Sequence, residues 1–154
     1  MVKDPAERLD ASNIAPRLWM GSKPPFDRDL PKVDLLVLAA REVQPTQLAF
    51  HGTVYRCPLV DDHLELGAIA QALQCAHTVA QVLLQKKTVL VTCSQGRNRS
   101  GLITGLALGY VTRMTGDQII ELIRSRRSVS GVLSNQAFCG YLRKYIDGDR
   151  RKKF

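Results

Sequence analysis

The chain has 154 residues, 45% of them hydrophobic, and 22 Lys and Arg against 14 Asp and Glu give a formal net charge of +8. That length suits one domain able to bury a core without disulfide or metal staples, and the apolar fraction excludes a disordered polyelectrolyte. Four cysteines without paired spacing, a polar N-terminus unlike a signal peptide and no apolar run longer than that around Leu102 to Val111 argue against secretion and a membrane span. The composition therefore points to a cytoplasmic, monomeric protein.

Residues 1–11 carry no periodicity and are expected to be flexible. Leu18-Trp19-Met20 is the first strand candidate, followed by Val33 to Leu38 and Val54 to Leu59, each short and apolar. A polar stretch, Val60-Asp61-Asp62-His63, precedes a helical pattern from Leu66 to Leu84. Val89 to Thr92 is a β-branched apolar run suited to a strand buried on both faces. Helices are predicted from Ser100 to Arg113, from Asp117 to Arg126 and from Asn135 to Ile146. Thr115-Gly116-Asp117-Gln118 has the form of a capping box, and Ser134 is placed to cap the last helix. The tail from Gly148, with Arg150-Arg151-Lys152-Lys153, is expected to be a solvated run. Alternating strands and helices predict a single α/β domain, with a central, mostly parallel sheet of four to five strands flanked by helices.

Between the strand at Val89–Thr92 and the helix that follows lies Cys93-Ser94-Gln95-Gly96-Arg97-Asn98-Arg99-Ser100. A cysteine with an arginine six positions on is weak by itself, and its context gives it meaning. Ser94 to Asn98 are small or polar with Gly96 inside, so the backbone can curl tightly. A loop curled at a helix N-terminus aims several N–H groups at one point, which makes an anion site. Such N–H groups and the helix dipole favour a thiolate, the nucleophilic form of cysteine. Arg99 offers a planar fork matched to two phosphate oxygens, which a lysine does not. Ser100 is placed to donate to the Cys93 sulfur as it departs. The layout predicts phosphate transfer through a cysteinyl-phosphate, with Cys93, Arg99 and Ser100 catalytic and Ser94, Gln95, Gly96, Arg97 and Asn98 binding the substrate phosphate.

Cys93 to Ser100 resembles the Cys-x5-Arg-Ser/Thr signature of the cysteine-dependent protein tyrosine phosphatases, and the whole chain is similar to their dual-specificity branch. Ile14 to Ser22 is similar to the opening strand segment of that branch, and Val129 to Leu142, with Asn135 and Phe138, to its closing helix. The resemblance spans residues 12–147, leaving 1–11 and the basic tail 148–154 outside the catalytic domain. It implies a general acid on a separate loop about thirty residues before the cysteine. Asp62 and Asp61 both lie there, 31 and 32 residues before Cys93. Asp62 is favoured, because an Asp precedes a His in the similar loop of MAP-kinase phosphatases. One departure stands out, since the resembled pattern has His before the cysteine and this chain has Thr92. An uncharged residue there implies slower turnover or a rate optimum displaced to higher pH. It also keeps open a phosphate-binding module with vestigial catalysis.

The resemblance implies phosphorylated proteins or peptides as substrates, with phosphotyrosine and phosphoserine/threonine both admitted. Only 92 residues precede Cys93, too few for the long loop that walls a deep tyrosine-only pocket. Arg97 inside the loop is similar to the basic loop of phosphoinositide phosphatases, and Asn98-Arg99-Ser100-Gly101 to that of RNA 5′-triphosphatases, which leaves a phosphoinositide or an RNA 5′-phosphate as alternatives. The surplus of cations, Arg124, Arg126 and Arg127 among them, attracts polyanions without choosing one. Neither His51 nor His77 has ligand spacing, so no metal or other cofactor is expected. Cys75 and Cys139 fit a core, and Cys57 fits either the core or a protective disulfide with Cys93.

Overall fold

The computed structural model describes residues 9–25, 30 and 32–149. Five strands form one sheet: β1 (Ala11–Ala15), β2 (Leu18–Gly21), β3 (Leu35–Ala40), β4 (Thr53–Leu59) and β5 (Val89–Thr92), in the spatial order β1-β2-β5-β3-β4. Only the β1–β2 hairpin is antiparallel; β5 runs parallel to both β2 and β3, and β3 to β4. The helices are α1 (Leu66–Leu84), α2 (Arg99–Val111), α3 (Gly116–Arg126) and α4 (Gln136–Lys144), with a π-helical turn at Tyr145–Asp149.

The two central strands, Leu35-Leu-Val-Leu-Ala-Ala40 and Val89-Leu-Val-Thr92, are buried at every position. That matches the continuous apolar pattern of parallel strands covered on both sides. Alternation sorts their side chains. Leu35, Val37, Val89 and Val91 join the large core, to which all four helices contribute buried residues. Leu36, Leu38 and Leu90 face the other way, against Leu30, Val33 and the partly buried Trp19, Leu48, Phe50 and Val54. Among the described residues, then, helices cover one face of the sheet and loop side chains cover the other.

In α1 the buried positions are Ala72, Cys75, Ala76, Val79, Ala80 and Leu83, the i, i+3, i+4, i+7 stripe of a helix lying on a core. Helix α2 differs, being buried from Arg99 to Gly109. It is hemmed in on all sides, and two glycines on one face make that possible. A Cβ on Gly101 would come within 2.7 Å of Leu133 Cδ2, and one on Gly105 within 2.8 Å of Leu142 Cδ2. The predicted capping box opens α3, with Gln118 N donating to Thr115 Oγ1 and Thr115 N to Gln118 Oε1.

Several boundaries differ from the sequence reading for physical reasons. The opening strand has a partner, β1, that short polar Ala11–Ala15 did not announce, so ordered structure begins before residue 12. β3 starts at Leu35 instead of Val33, because the Asp34 carboxylate accepts bonds from Thr88 N (2.8 Å) and Thr88 Oγ1 (3.0 Å) and anchors the entrance to β5. Helix α4 is capped by Asn135, whose side chain accepts from Phe138 N at 3.1 Å, while Ser134 turns toward Asn98. The basic run Arg150–Lys153 lies outside the described residues. Among those described, no helix is long and apolar enough to cross a membrane.

All four cysteines are free and buried. Cys57 meets the carbonyl of Gln71 at 3.6 Å and shares a hydrogen bond with Cys75, and this neighbour, reinforced by burial, pushes the Cys75 thiol up. No disulfide joins Cys57 to Cys93.

The hairpin sets up a test of backbone proximity. A Cβ on Gly21 would fall 2.6 Å from Asp10 O and 2.9 Å from Ala11 Cβ, whereas nothing lies within 4 Å of one on Gly67. Gly21→Ala is expected to destabilise by about 1–3 kcal/mol and Gly67→Ala to stabilise by about 0.5–1 kcal/mol, measured by urea unfolding.

Candidate active site

β5 lies between β2 and β3, and its carboxyl end opens into the segment Cys93–Asn98 that leads into α2. A loop at the carboxyl end of a central parallel strand is where α/β sheets bind ligands. Cys93 N donates to Gly21 O (3.3 Å) and Lys23 N to Ser94 O (3.1 Å), so the loop is stitched to the end of β2. At its tip Gly96 has φ +67°, and a Cβ there would lie 2.4 Å from Gly21 C and 2.6 Å from Arg127 Nη2. Only glycine meets both demands.

Arg127 explains why the loop curls. Its side chain is among the largest that are fully buried. Nε donates to Gly96 O (2.9 Å) and Nη2 to Gln95 O (3.1 Å), while Nη1 and Nη2 grip the Asp10 carboxylate at 2.8 and 3.0 Å. The Arg127 hydrogen bonds hold the Asp10 carboxyl below its ordinary range against the opposing cost of burial. A trans peptide sets C=O and N–H on opposite sides, so the N–H groups of Gly96 and Arg97 point away from Arg127. Among the described residues nothing accepts a hydrogen bond from the N–H groups of Ser94 to Asn98.

Arg99 opens α2, and its five N–H donors can be accounted for. Its two terminal nitrogens hold the Glu42 carboxylate end-on, Nη2 to Oε2 at 2.7 Å, and Nη1 also donates to Leu59 O at 3.1 Å. Three donors are thereby used. The Nε–H and the second hydrogen of Nη2 remain, side by side on one edge, and form a fork of the spacing that an oxyanion accepts. The Arg99 hydrogen bond draws the Glu42 carboxyl from an ordinary 4.5 to about 2. Ser100 is fully buried, and its Oγ lies 3.2 Å from Cys93 Sγ.

These groups face a single cavity of about 320 Å³, lined by Glu42, Asp61, Cys93, Ser94, Gln95, Arg97, Asn98, Arg99 and Ser134. Asp61 faces it, with each carboxylate oxygen bonded to an amide: Oδ2 to Asn98 Nδ2 (3.0 Å) and Oδ1 to Asn135 Nδ2 (2.9 Å). Asp62 does not line it. Its carboxylate lies 3.3 Å from exposed His63 in a neighbouring hollow, and the carboxylates of Glu65 and Asp62 raise the His63 imidazole above its ordinary range. Asp61 therefore lines both hollows, whereas Asp62, the residue favoured from the sequence, lines only the outer one.

The fold recurs in solved structures. Human DUSP28 superposes with a TM-score of 0.72 at 22% identity, covering 97% of both chains. The chain has the dual-specificity phosphatase fold. DUSP15 gives a TM-score of 0.73 at 21% identity over 92% of this chain and 90% of that one. Human tyrosine phosphatase-like serine/threonine/tyrosine-interacting protein gives 0.68 at 18% identity over 88% of this chain and 94% of that one. No protein-family model matches the sequence, and no curated protein does.

Within this dual-specificity phosphatase fold the departure at Thr92 has a structural use, since its buried hydroxyl donates to Val37 O of β3 at 2.7 Å. Arg97 lines the cavity beside Gly131, with its Nε buried and lacking a partner. Glu42 and Asp10 have no part in the sequence analysis, and Arg124 and Arg127 enter it only within the surplus of cations. Arg124 instead donates to Val132 O (3.2 Å) and Leu133 O (2.9 Å) and braces the segment that packs on Gly101. The available signals were Glu42 just beyond an apolar strand and a third arginine closing a helix.

Two outcomes follow from these ion pairs. Arg127→Met leaves Asp10 and two loop carbonyls without their donor, and is expected to cost about 3–5 kcal/mol in urea unfolding and to abolish binding of inorganic phosphate in a calorimetric titration. Glu42 has a depressed folded-state value, so its pairing stabilises the fold above about 4.5 and is lost as pH falls toward about 2. Glu42→Gln is therefore expected to be less stable than the parent near neutrality, the two converging as pH falls through that window in thermal melts.

Proposed function

We propose that the chain hydrolyses phosphate monoesters, phosphotyrosine and phosphoserine/threonine in proteins, through a cysteinyl-phosphate intermediate. The observation that carries this reading is the convergence of Cys93 Sγ, the free edge of Arg99 and Asp61 on one cavity, with Ser100 Oγ against the sulfur. The fold alone does not decide it, since the fold is shared with a protein described as phosphatase-like.

In the first step the Cys93 sulfur forms a bond to phosphorus as the ester P–O bond breaks. Arg99 and the loop N–H groups hold the three remaining oxygens, and Asp61 gives its proton to the leaving oxygen. In the second step water passes a proton to Asp61 and attacks phosphorus, and the S–P bond breaks. The returning thiolate accepts a hydrogen bond from Ser100, and inorganic phosphate leaves. Each turnover consumes one ester and one water and restores both Cys93 and Asp61. Thr92, uncharged and bonded to β3, is compatible with this cycle because the loop is held from Arg127 and Gly21.

Arg97 supports a second reading, in which the ester carries another phosphate nearby, as a phosphoinositide or an RNA 5′-phosphate does. Arg97 lines the same cavity as Cys93, and its buried Nε has no hydrogen-bond partner among the described residues.

The test measures steady-state and burst kinetics with aryl phosphates and phosphopeptides. Cys93→Ser is expected to show neither burst nor turnover. Asp61→Asn is expected to lower kcat by about 10²–10⁴-fold, with Asp62→Asn within about threefold of the parent. Full activity in Cys93→Ser would overturn the mechanism, and a large loss confined to Asp62→Asn would return the acid to that residue. An Arg97→Gln effect limited to doubly phosphorylated substrates would favour the second reading.

A further inference from the structure

Asp61 is gripped by two asparagines whose orientation is not a matter of choice. Asn98 Oδ1 accepts from Asn135 N at 2.9 Å, and a backbone N–H can only donate. The Asn98 amide nitrogen must therefore be the end that faces Asp61 Oδ2 (3.0 Å) and Ser134 Oγ (3.2 Å). The same logic applies to Asn135. Its Oδ1 accepts from Phe138 N (3.1 Å) as the cap of α4, so its Nδ2 faces Asp61 Oδ1 and the Asp62 carbonyl, each at 2.9 Å. Backbone geometry alone settles both flips.

Asn98 belongs to the phosphate loop and Asn135 to the start of α4, so the two amides tie the acid loop to the nucleophile loop and to the cap of α4. We propose that Asn98 and Asn135 are positioning residues that hold the Asp61 carboxylate toward the ester oxygen through neutral donors. Each carboxylate oxygen has one lone pair occupied by an amide and another free. The grip therefore fixes the rotamer while leaving a site for the transferred proton. Neutral donors suit a group that must exchange a proton twice per turnover, whereas a cation at either place would oppose the protonated form. Asn98 carries a double duty, since its peptide N–H belongs to the phosphate cradle and its side chain to the acid. Displacement of one loop is thereby transmitted to the other.

This inference rests on Asp61 as the proton donor, and the experiment separates the two claims. Turnover of phenyl phosphate, whose leaving group needs the proton, is compared with that of 2,4-dinitrophenyl phosphate, whose leaving group does not. Asn98→Ala and Asn135→Ser are made alone and on Asp61→Asn. Serine retains the acceptor that caps α4 and lacks the amide donor. The expected result for Asn135→Ser is a loss of about 10- to 100-fold in kcat/KM, which reports the first step, for phenyl phosphate with little change in kcat/KM for the dinitrophenyl ester. Asn98→Ala is expected to lose more on the phenyl than on the dinitrophenyl ester, and neither change to lower kcat/KM for phenyl phosphate further when added to Asp61→Asn. Equal losses on both substrates, or full additivity with Asp61→Asn, would assign the amides a merely structural part and overturn the inference. No selective effect of Asp61→Asn itself would instead sink the acid assignment, and the inference with it. Should Asn98→Ala fail to fold by circular dichroism, Asn135→Ser decides alone.

Discussion

The site depends on one buried guanidinium. Arg127 sits 117 residues from Asp10 and 31 from Gly96 in sequence, yet it bonds to both. An arginine taken out of water is tolerated only when its donors are satisfied, and here a carboxylate, two loop carbonyls and the Ser12 hydroxyl satisfy them. The effect on chemistry is indirect. By claiming the carbonyls of Gln95 and Gly96 from behind, Arg127 leaves the opposite edge of the loop presenting N–H groups. The anion site arises because the carbonyl side of the same peptides is already occupied.

A second ion pair works by subtraction. Glu42 and the Leu59 carbonyl take three of the Arg99 donors and leave two on a single edge. An unconstrained guanidinium could meet phosphate in several ways, and this one is left with one. Since β3 leads into Glu42 and β4 ends at Leu59, two strands beside β5 aim a residue that begins α2. Fixed direction is what the chemistry requires, because a displacement of about 1 Å can cost about 100-fold in rate.

How far the sequence discloses this follows from the distance over which each feature is determined. Val89–Thr92, the glycine loop and the long apolar helix are local patterns, and their order was enough to place Cys93, Arg99 and Ser100 on one strand–loop–helix turn. The range of α1 and the capping box of α3 are local as well, and both were legible. Glu42, Arg127, Asn98 and Asn135 act through pairings 57, 31, 37 and 74 residues apart, and no periodicity carries those. Arg127 counts in the sequence only toward the cation surplus, because burial of a cation depends on partners that composition does not reveal. Asp61 and Asp62 show a finer limit. A one-residue offset on a loop decides which carboxylate lines the cavity of Cys93, and spacing from the cysteine does not register it.

Thr92 shows how the same fold can be held by other means. If a histidine before the nucleophile serves to hold the loop, its loss should loosen the site. Here the position points into the sheet, where its hydroxyl is used by Val37 O, and the loop is held from the opposite side by Arg127 and from β2 by Gly21 O and Lys23 N. Residue 92 thus contributes to the register of β5 against β3, and the shape of the loop is set elsewhere. What threonine cannot replace is a charge close to the sulfur. Arg99, which lines the same cavity, has its own charge shared with Glu42, and on the proposed reading the N–H groups of the loop carry more of the task of stabilising an anion at this point. On the proposed reading, catalytic strength therefore rests on how well the backbone of Ser94 to Asn98 is kept in place, which is the geometry that Arg127, Gly96 and Asn98 jointly impose.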